Sequence, residues 1–578
     1  MLETRSSHAD VDPSRAPRIG LVLITVVVTA GRWWYAMDRH IFHLAPDEPA
    51  QLAVARWLAG RTPWNMFDHA TWQPALAVLI APAYWFTDSG PTVVRYALFV
   101  NCLLGGIAAA LLAVLVHRIT NLGAWGSAVI AVLVGLAPAS LSASSFVWAE
   151  SLVSLTFLAT TLALLRYYET ATFAAGSGAL AAAVAGYTVH SRLLPLIGTT
   201  VLLTVGREWW RHRWIRGAGL ALVVGALFAA SGAWKQWVLD AVWENPADQN
   251  TVGAVWKRAK EPLDVLDAML GQAWYQMAAT LGLATIGAAI IVAACFRSGR
   301  VPTTAARIIT ITTIPLLVIS AIFMSDRPRA DQFIYGRYND AVMWPIIAVG
   351  MAWLANRFRS GFARSYGWLA AGVIASLLAT GLAVDRLHGD LIEESYGVRA
   401  MIAGLLAYVD GTDTLHVWRV TLITAGLTLI WVALVVVADW AGSGRTGVVA
   451  VATVLALAVA VVGVQRTEEV GDKRLDGWAS SEPVREVDDI VPEGVPLAVR
   501  TIPSSEDPVA NWTTQRQRYQ VYQFYLSDRV VHRDRGLDDE IGPYVFAPLD
   551  TDDLVDAGAE LLWTDPSVKI GLWREPER

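Results

Sequence analysis

Thirteen apolar runs, at about 18–37, 94–116, 123–142, 150–167, 173–190, 192–206, 216–239, 273–296, 305–324, 341–356, 366–384, 418–438 and 445–463, dominate this 578-residue chain. In hydrocarbon a peptide group finds no water to bond. Segments of this length therefore close their own hydrogen bonds as helices, and roughly 20 residues of helix match the membrane core. A chain with so many such runs has one outcome open to it, a polytopic helical membrane protein. The composition agrees, with 54% hydrophobic residues, 17% charged residues and a mean hydropathy of +0.42. The 26 Trp suit extensive membrane–water interface. Cys102 and Cys295 both fall inside apolar runs, where a thiol acts as a small hydrophobe, so neither a disulfide nor a metal cluster is expected. The zinc patterns HExxH and CxxC and the nucleotide-binding patterns GxxxxGK[ST] and GxGxxG are missing, and no nucleic-acid partner is expected.

The run beginning at Ile19 is too long for a signal-peptide core and lacks a convincing cleavage site, so it reads as an uncleaved span. A fourteenth stretch, Gln73 to Phe86, is shorter and carries Pro74 and Pro82; whether it crosses sets the orientation of everything after it. Charge decides. If it does not cross, the basic loops, including Arg207-Glu208-Trp209-Trp210-Arg211-His212-Arg213, fall on the cytoplasmic side, as the positive-inside rule demands. The expected topology is a cytoplasmic N-terminus, thirteen spans in the cell membrane and an extracytoplasmic C-terminal tail. The tail also differs in kind. Residues 464–578 hold 24 acidic and 13 basic side chains, a net −11, whereas the rest of the chain is +5. Short strand patterns at Pro496–Arg500, Arg529–His532, Tyr544–Ala547 and Ile570–Trp573, with helical patterns at Gln515–Leu526 and Leu554–Leu562, make residues 464–578 a soluble α/β domain. Residues 1–463 form the transmembrane domain, whose first outer loop, 38–93, carries two juxtamembrane helices.

That loop holds the adjacent carboxylates Asp47 and Glu48. Further along, Trp72-Gln73-Pro74 precedes the apolar piece Ala75–Phe86, then come Arg95 and Trp148-Ala149-Glu150-Ser151-Leu152. This ordered set resembles the GT-C glycosyltransferases, in particular the protein O-mannosyltransferase and lipid A aminoarabinose-transferase branch, over roughly residues 20–240. Gln73 stands where that branch often has a Lys. The element Arg337-Tyr338-Asn339-Asp340 and the α/β tail look more like actinobacterial members that build cell-wall arabinan, the arabinofuranosyltransferases. The resemblance implies an enzyme of inverting type that takes a sugar from a polyprenyl-phosphate donor, embedded among membrane lipids, and passes it to a glycan, lipid or protein acceptor outside the membrane.

Such transfer needs a base for the acceptor hydroxyl and cations or hydrogen-bond donors for the departing phosphate. The resemblance makes Asp47 the base, with Glu48 and Glu150 as further catalytic carboxylates. Asp47 and Glu48 would equally cap the helix that follows, and Glu150 would equally suit the dipole of its own span. For the donor phosphate and substrate the candidates are Arg337 with Tyr335, Tyr338 and Asn339, then His190 and Arg192, Gln73, and His69 beside Asp68. No metal-ligand set is assigned; Asp47, Glu48 and Glu150 offer oxygen ligands for a divalent cation, but nothing requires one. In the tail, Tyr519, Tyr522, Phe524 and Tyr525 suit either a carbohydrate surface or a helix packed on a sheet. Two other functional classes stand against the enzyme: a transporter or flippase of lipid-linked or polar solutes, and a non-catalytic cell-envelope assembly protein. A transporter usually shows internal repeats and ionisable groups in mid-membrane, whereas the charges here gather at span ends.

Overall fold

The computed structural model describes residues 18–42, 47–61, 64, 66, 73–120, 122–243, 252–296, 301–325, 330–357, 363–389, 391–392, 404–405, 414–440, 482–500, 519–526, 529, 531–534, 543–549, 551–565 and 569–576. Helix α1 (Arg18–Ala36) is the first apolar run, and α2 (Asp47–Leu58) starts with the two carboxylates in its first turn, where they complement the free amides. The stretch with two prolines becomes α3 (Ala75–Ile80) and a 3-10 turn, Ala81–Trp85. Together these 11 residues reach about 20 Å, short of the roughly 30 Å of hydrocarbon. Then follow α4 (Gly90–Ile119), α5 (Ala124–Gly135) and α6 (Pro138–Ser144). The last two meet at 59°, because Ala137, ahead of Pro138, is driven to an extended ψ of 152°. Next come α7 (Glu150–Thr170), α8 (Phe173–Val189) and α9 (Leu194–Val201), which runs through a π turn at Leu202–Gly206 into α10 (Arg207–Trp210). After α11 (Trp214–Val242) and α12 (Val252–Ala259), α13 (Pro262–Ala279) and α14 (Leu283–Cys295) bend by 111°. Leu281 and Gly282, both at positive φ, break the ladder there. The body ends with α15 (Val301–Met324), α16 (Ala330–Phe333), α17 (Arg337–Arg357), α18 (Ala363–His388) and α19 (Val417–Trp440).

Among the described residues five helices are long and apolar enough to cross a membrane, or seven if each bent pair is one span. Shorter apolar helices lie at Gly20–Ala36, Phe173–Val189 and Val417–Ile430, and the run 445–463 lies outside the described residues. Helices approach closely where glycine removes the side chain. A Cβ on Gly287 would fall 1.9 Å from the Ile346 carbonyl oxygen, and one on Gly350 2.3 Å from that of Leu283, so α14 and α17 meet backbone to backbone.

In the tail, β3 (Leu497–Arg500), β4 (Val531–Asp534), β5 (Tyr544–Pro548), β6 (Glu560–Thr564) and β7 (Ile570–Arg574) follow a two-residue pair, β1 (Leu391–Ile392) and β2 (Thr414–Leu415). The five-stranded sheet has the order β4-β3-β5-β7-β6, parallel among β4, β3 and β5 and antiparallel beyond. The helix expected at 554–562 is confined to Asp552–Asp556, because Gly558 at φ 77° ends it and Leu561 and Trp563 pair with β7. Helical residues 519–525 pack their aromatic face inward: Tyr522 lies on Phe546 and Trp563 of the sheet, so this face is core and not a carbohydrate surface. Phe524 instead reaches the body, 5.4 Å from the Phe42 ring and 6.2 Å from that of Trp64, and a Cβ on Gly90 would strike its ring at 2.7 Å. The tail therefore rests on the end of the body that carries α2.

Candidate active site

The first turns of three helices meet at one point. Arg337, opening α17, donates through Nη1 to Asp47 Oδ2 and through Nε to Glu150 Oε1, each at 2.6 Å. Asp47 opens α2 and Glu150 opens α7, so each carboxylate lies at the positive end of its own helix. Trp148 lies against the guanidinium, its ring centre 3.8 Å from Cζ. The two carboxylates are not equivalent: the Asp47 side chain is 24% exposed and that of Glu150 only 6%. Glu150 Oε2 is buried and has no hydrogen-bond partner among the described residues. Beside it is a small cavity of about 30 Å³, lined by Arg32, Trp148, Glu150, Ser151, Arg337 and Asp340 among others, room for about two waters.

The turn between α6 and α7 is held from three sides, and this fixes Trp148 and Glu150. Asn101, buried on α4, donates to the carbonyls of Ala143 (3.0 Å) and Phe146 (2.9 Å). Glu48 Oε1 accepts from the Val147 amide at 2.7 Å, and Phe146 stacks on Trp148 at 4.0 Å. On α7 itself, Ser151 Oγ accepts from Arg32 Nη2 at 2.8 Å, and Ser154 donates to the Ala341 carbonyl, joining α7 to α17.

A second basic group sits close by. Arg192 is 3% exposed, and its guanidinium lies 4.4 Å from the centre of the Tyr338 ring. Nε, Nη1 and Nη2 are all buried without a hydrogen-bond acceptor among the described residues. A buried guanidinium satisfied only by an aromatic face is in want of an anion. His190 Nδ1 accepts from the Arg192 amide, its ring meets Tyr338 edge-on at 5.6 Å, and Tyr335 packs on Tyr338 at 4.6 Å.

The structure thus gathers Asp47, Glu150, Arg337, Tyr335, Tyr338, His190 and Arg192. It gives Arg337, read from the sequence as the phosphate clamp, two carboxylate partners instead. Glu48 turns to Val147, one residue along the helix being about 100° around it. Asn339 is engaged with Gln272 Oε1 at 2.9 Å, and Gln73 is buried with its carbonyl accepting from Gln51 Nε2 at 3.3 Å. His69 lies outside the described residues. With Glu48 turned away the three-carboxylate set for a cation does not assemble, and among the described residues no group of three His, Cys, Asp or Glu could hold a metal ion. Sequence reasoning quoted Trp148 beside Glu150 without giving it a role, and passed over Asn101 and Arg32. Arg32 did leave a signal, an arginine inside an apolar run.

No protein-family profile matches the chain, and no curated protein matches it in sequence. Solved structures do. ArnT from Cupriavidus metallidurans, bound to undecaprenyl phosphate, superposes with a TM-score of 0.53 at 15% identity, covering 97% of this chain and 100% of that one. Its apo form gives 0.51 at 15% identity, covering 96% and 99%. A looser likeness, TM-score 0.39 at 14% identity over 78% of this chain and 41% of that one, is to arabinosyltransferase EmbB from Mycobacterium smegmatis, and nothing about function follows at that score. Where the resemblance read from the sequence covered roughly residues 20–240, these two likenesses, which are of fold alone, extend over nearly the whole chain. The chain is a helical membrane protein of that architecture.

Proposed function

We propose that this chain is a membrane glycosyltransferase, moving a sugar from a polyprenyl-phosphate donor to a hydroxyl of a glycan, lipid or protein acceptor on the extracytoplasmic face. The observation that supports it is the Arg337 fork. It holds Asp47 and Glu150, 103 residues apart in sequence, in one cluster beside Arg192, whose guanidinium has no hydrogen-bond acceptor among the described residues. Asp47, the more exposed carboxylate, is the base. It takes the proton of the acceptor hydroxyl as that oxygen attacks the anomeric carbon. The bond from that carbon to the phosphate oxygen breaks on the opposite face, its electron pair leaves with the polyprenyl phosphate, and the configuration inverts. Arg192, with His190 and Tyr338, receives the phosphate charge. Glu150 keeps Arg337 in place, and Glu48 acts through Trp148 by holding its turn.

The test is purified Asp47→Asn, which keeps a hydrogen-bond acceptor for Arg337. It should bind undecaprenyl phosphate as the parent does and lose sugar transfer by at least about 100-fold. Transfer at the parental rate removes Asp47 as the base. Solute flux through liposomes with no transfer by the parent protein would favour the transporter. The likeness of Arg337–Asp340 and the tail to arabinan-building enzymes makes a furanosyl donor the first to try.

A further inference from the structure

The far end of α7 carries a second constellation that the proposed reaction does not use. Tyr167 lies 17 residues beyond Glu150, about 25 Å along the helix axis, close to one hydrocarbon thickness from the candidate site. Its hydroxyl donates to Glu208 Oε1 at 2.6 Å, and Arg216 Nε and Arg213 Nη1 face the same carboxylate at 3.7 and 3.9 Å. The one acidic side chain of segment 207–216 is therefore turned inward and is 1% exposed. Arg216 also donates to the Ala171 carbonyl at 2.5 Å, and Arg207 stacks over Tyr168 at 4.1 Å. The nearby Glu169 is taken by Arg118 at 3.8 Å.

Those contacts fix the backbone of the turn and leave a defined outer face. The Arg211 side chain is exposed and makes no hydrogen bond or ion pair among the described residues, and the Arg213 side chain is 45% exposed. Around them Trp210 (87% exposed), Trp214 (59%) and Ile215 (90%) point outward. Large apolar side chains this bare are out of place in water but at home at a headgroup boundary, where an indole has both an apolar and a wet neighbour. Guanidinium groups between them meet phosphodiesters.

We infer that this turn binds the headgroup of an anionic phospholipid in the leaflet opposite the candidate active site. Arg211 and Arg213 take the phosphate charge, and Trp210, Trp214 and Ile215 enter the boundary of the acyl region. A free anion would leave those three side chains without a purpose.

The experiment is native mass spectrometry of the full chain released from bilayers of equal phosphatidylglycerol and phosphatidylcholine. The parent should retain one phosphatidylglycerol. The pair Arg211→Gln/Arg213→Gln should weaken that retention about 30-fold, about fivefold for each basic group lost at a surface. The pair Arg211→Lys/Arg213→Lys should hold it within about threefold. Unchanged retention by the Gln pair, equal retention of phosphatidylcholine by the parent, or displacement by millimolar inorganic phosphate overturns the inference. So does loss of the lipid by the Lys pair, since the defect would then be one of folding and not of charge.

Discussion

Replacing Arg337 with Gln strands two carboxylates that the native fold holds at 2.6 Å from one guanidinium. Glu150 is almost fully buried, so its charge regains little hydration once the cation is gone; Asp47 is about a quarter exposed and regains more. Removing one member of a buried ion pair costs about 3–5 kcal/mol. Glu150→Gln alone leaves Arg337 paired with Asp47 and gives up one charge-assisted bond, about 1.5–3 kcal/mol. In the double variant no buried charge is orphaned at position 150. Its cost should therefore fall short of the sum of the single variants by about 2 kcal/mol, a favourable coupling between residues 187 apart in sequence. The assay is unfolding of the full chain in mixed micelles by titrated sodium dodecyl sulfate, followed by tryptophan fluorescence, for the parent, both single variants and the double. Additivity within about 0.5 kcal/mol would refute the claim that Arg337 is held by a buried charge balance.

Asn101→Leu leaves the buried carbonyl of Phe146 and the half-buried one of Ala143 without their donor; it should cost about 2–3 kcal/mol and lower transfer by displacing Trp148 and Glu150, read from micelle unfolding and turnover together. Gly287→Val should prevent α14 and α17 from closing, since even a Cβ there meets a carbonyl oxygen at 1.9 Å; expression of folded protein, followed by size-exclusion chromatography, should fall sharply. Phe524→Ala empties the contact with Phe42 and Trp64 at a cost of about 3–5 kcal/mol, and limited proteolysis should then release the tail at lower protease concentration than in the parent.

Much of the helical body could be read from the chain, because an apolar run in hydrocarbon has only its own backbone to bond to. The positions of Asp47 and Glu150 at helix starts were legible for a similar local reason, a carboxylate ahead of an apolar run being favoured by the free amides. Breaks inside runs were less visible: Pro138 signals one bend, but the paired positive φ values at Leu281 and Gly282 depend on how α13 and α14 pack. In the tail, local pattern misjudged 554–562, since strand pairing with β7 overrides a helical spacing of only a few residues.

By itself the sequence determined that the chain is a bundle of membrane helices and that an acidic pair stands at the foot of one of them. Only the tertiary structure decided which charges meet. Asp47 and Arg337 are 290 residues apart, and no local pattern links them. The division of labour between Asp47 and Glu48 follows from helix geometry, since neighbours on a helix point about 100° apart and cannot both face one site. The division between Arg337 and Arg192 follows from packing. The arginine nearer two carboxylates is neutralised by them, and the one that folding leaves against an aromatic ring has no hydrogen-bond acceptor among the described residues, as the proposed phosphate role requires.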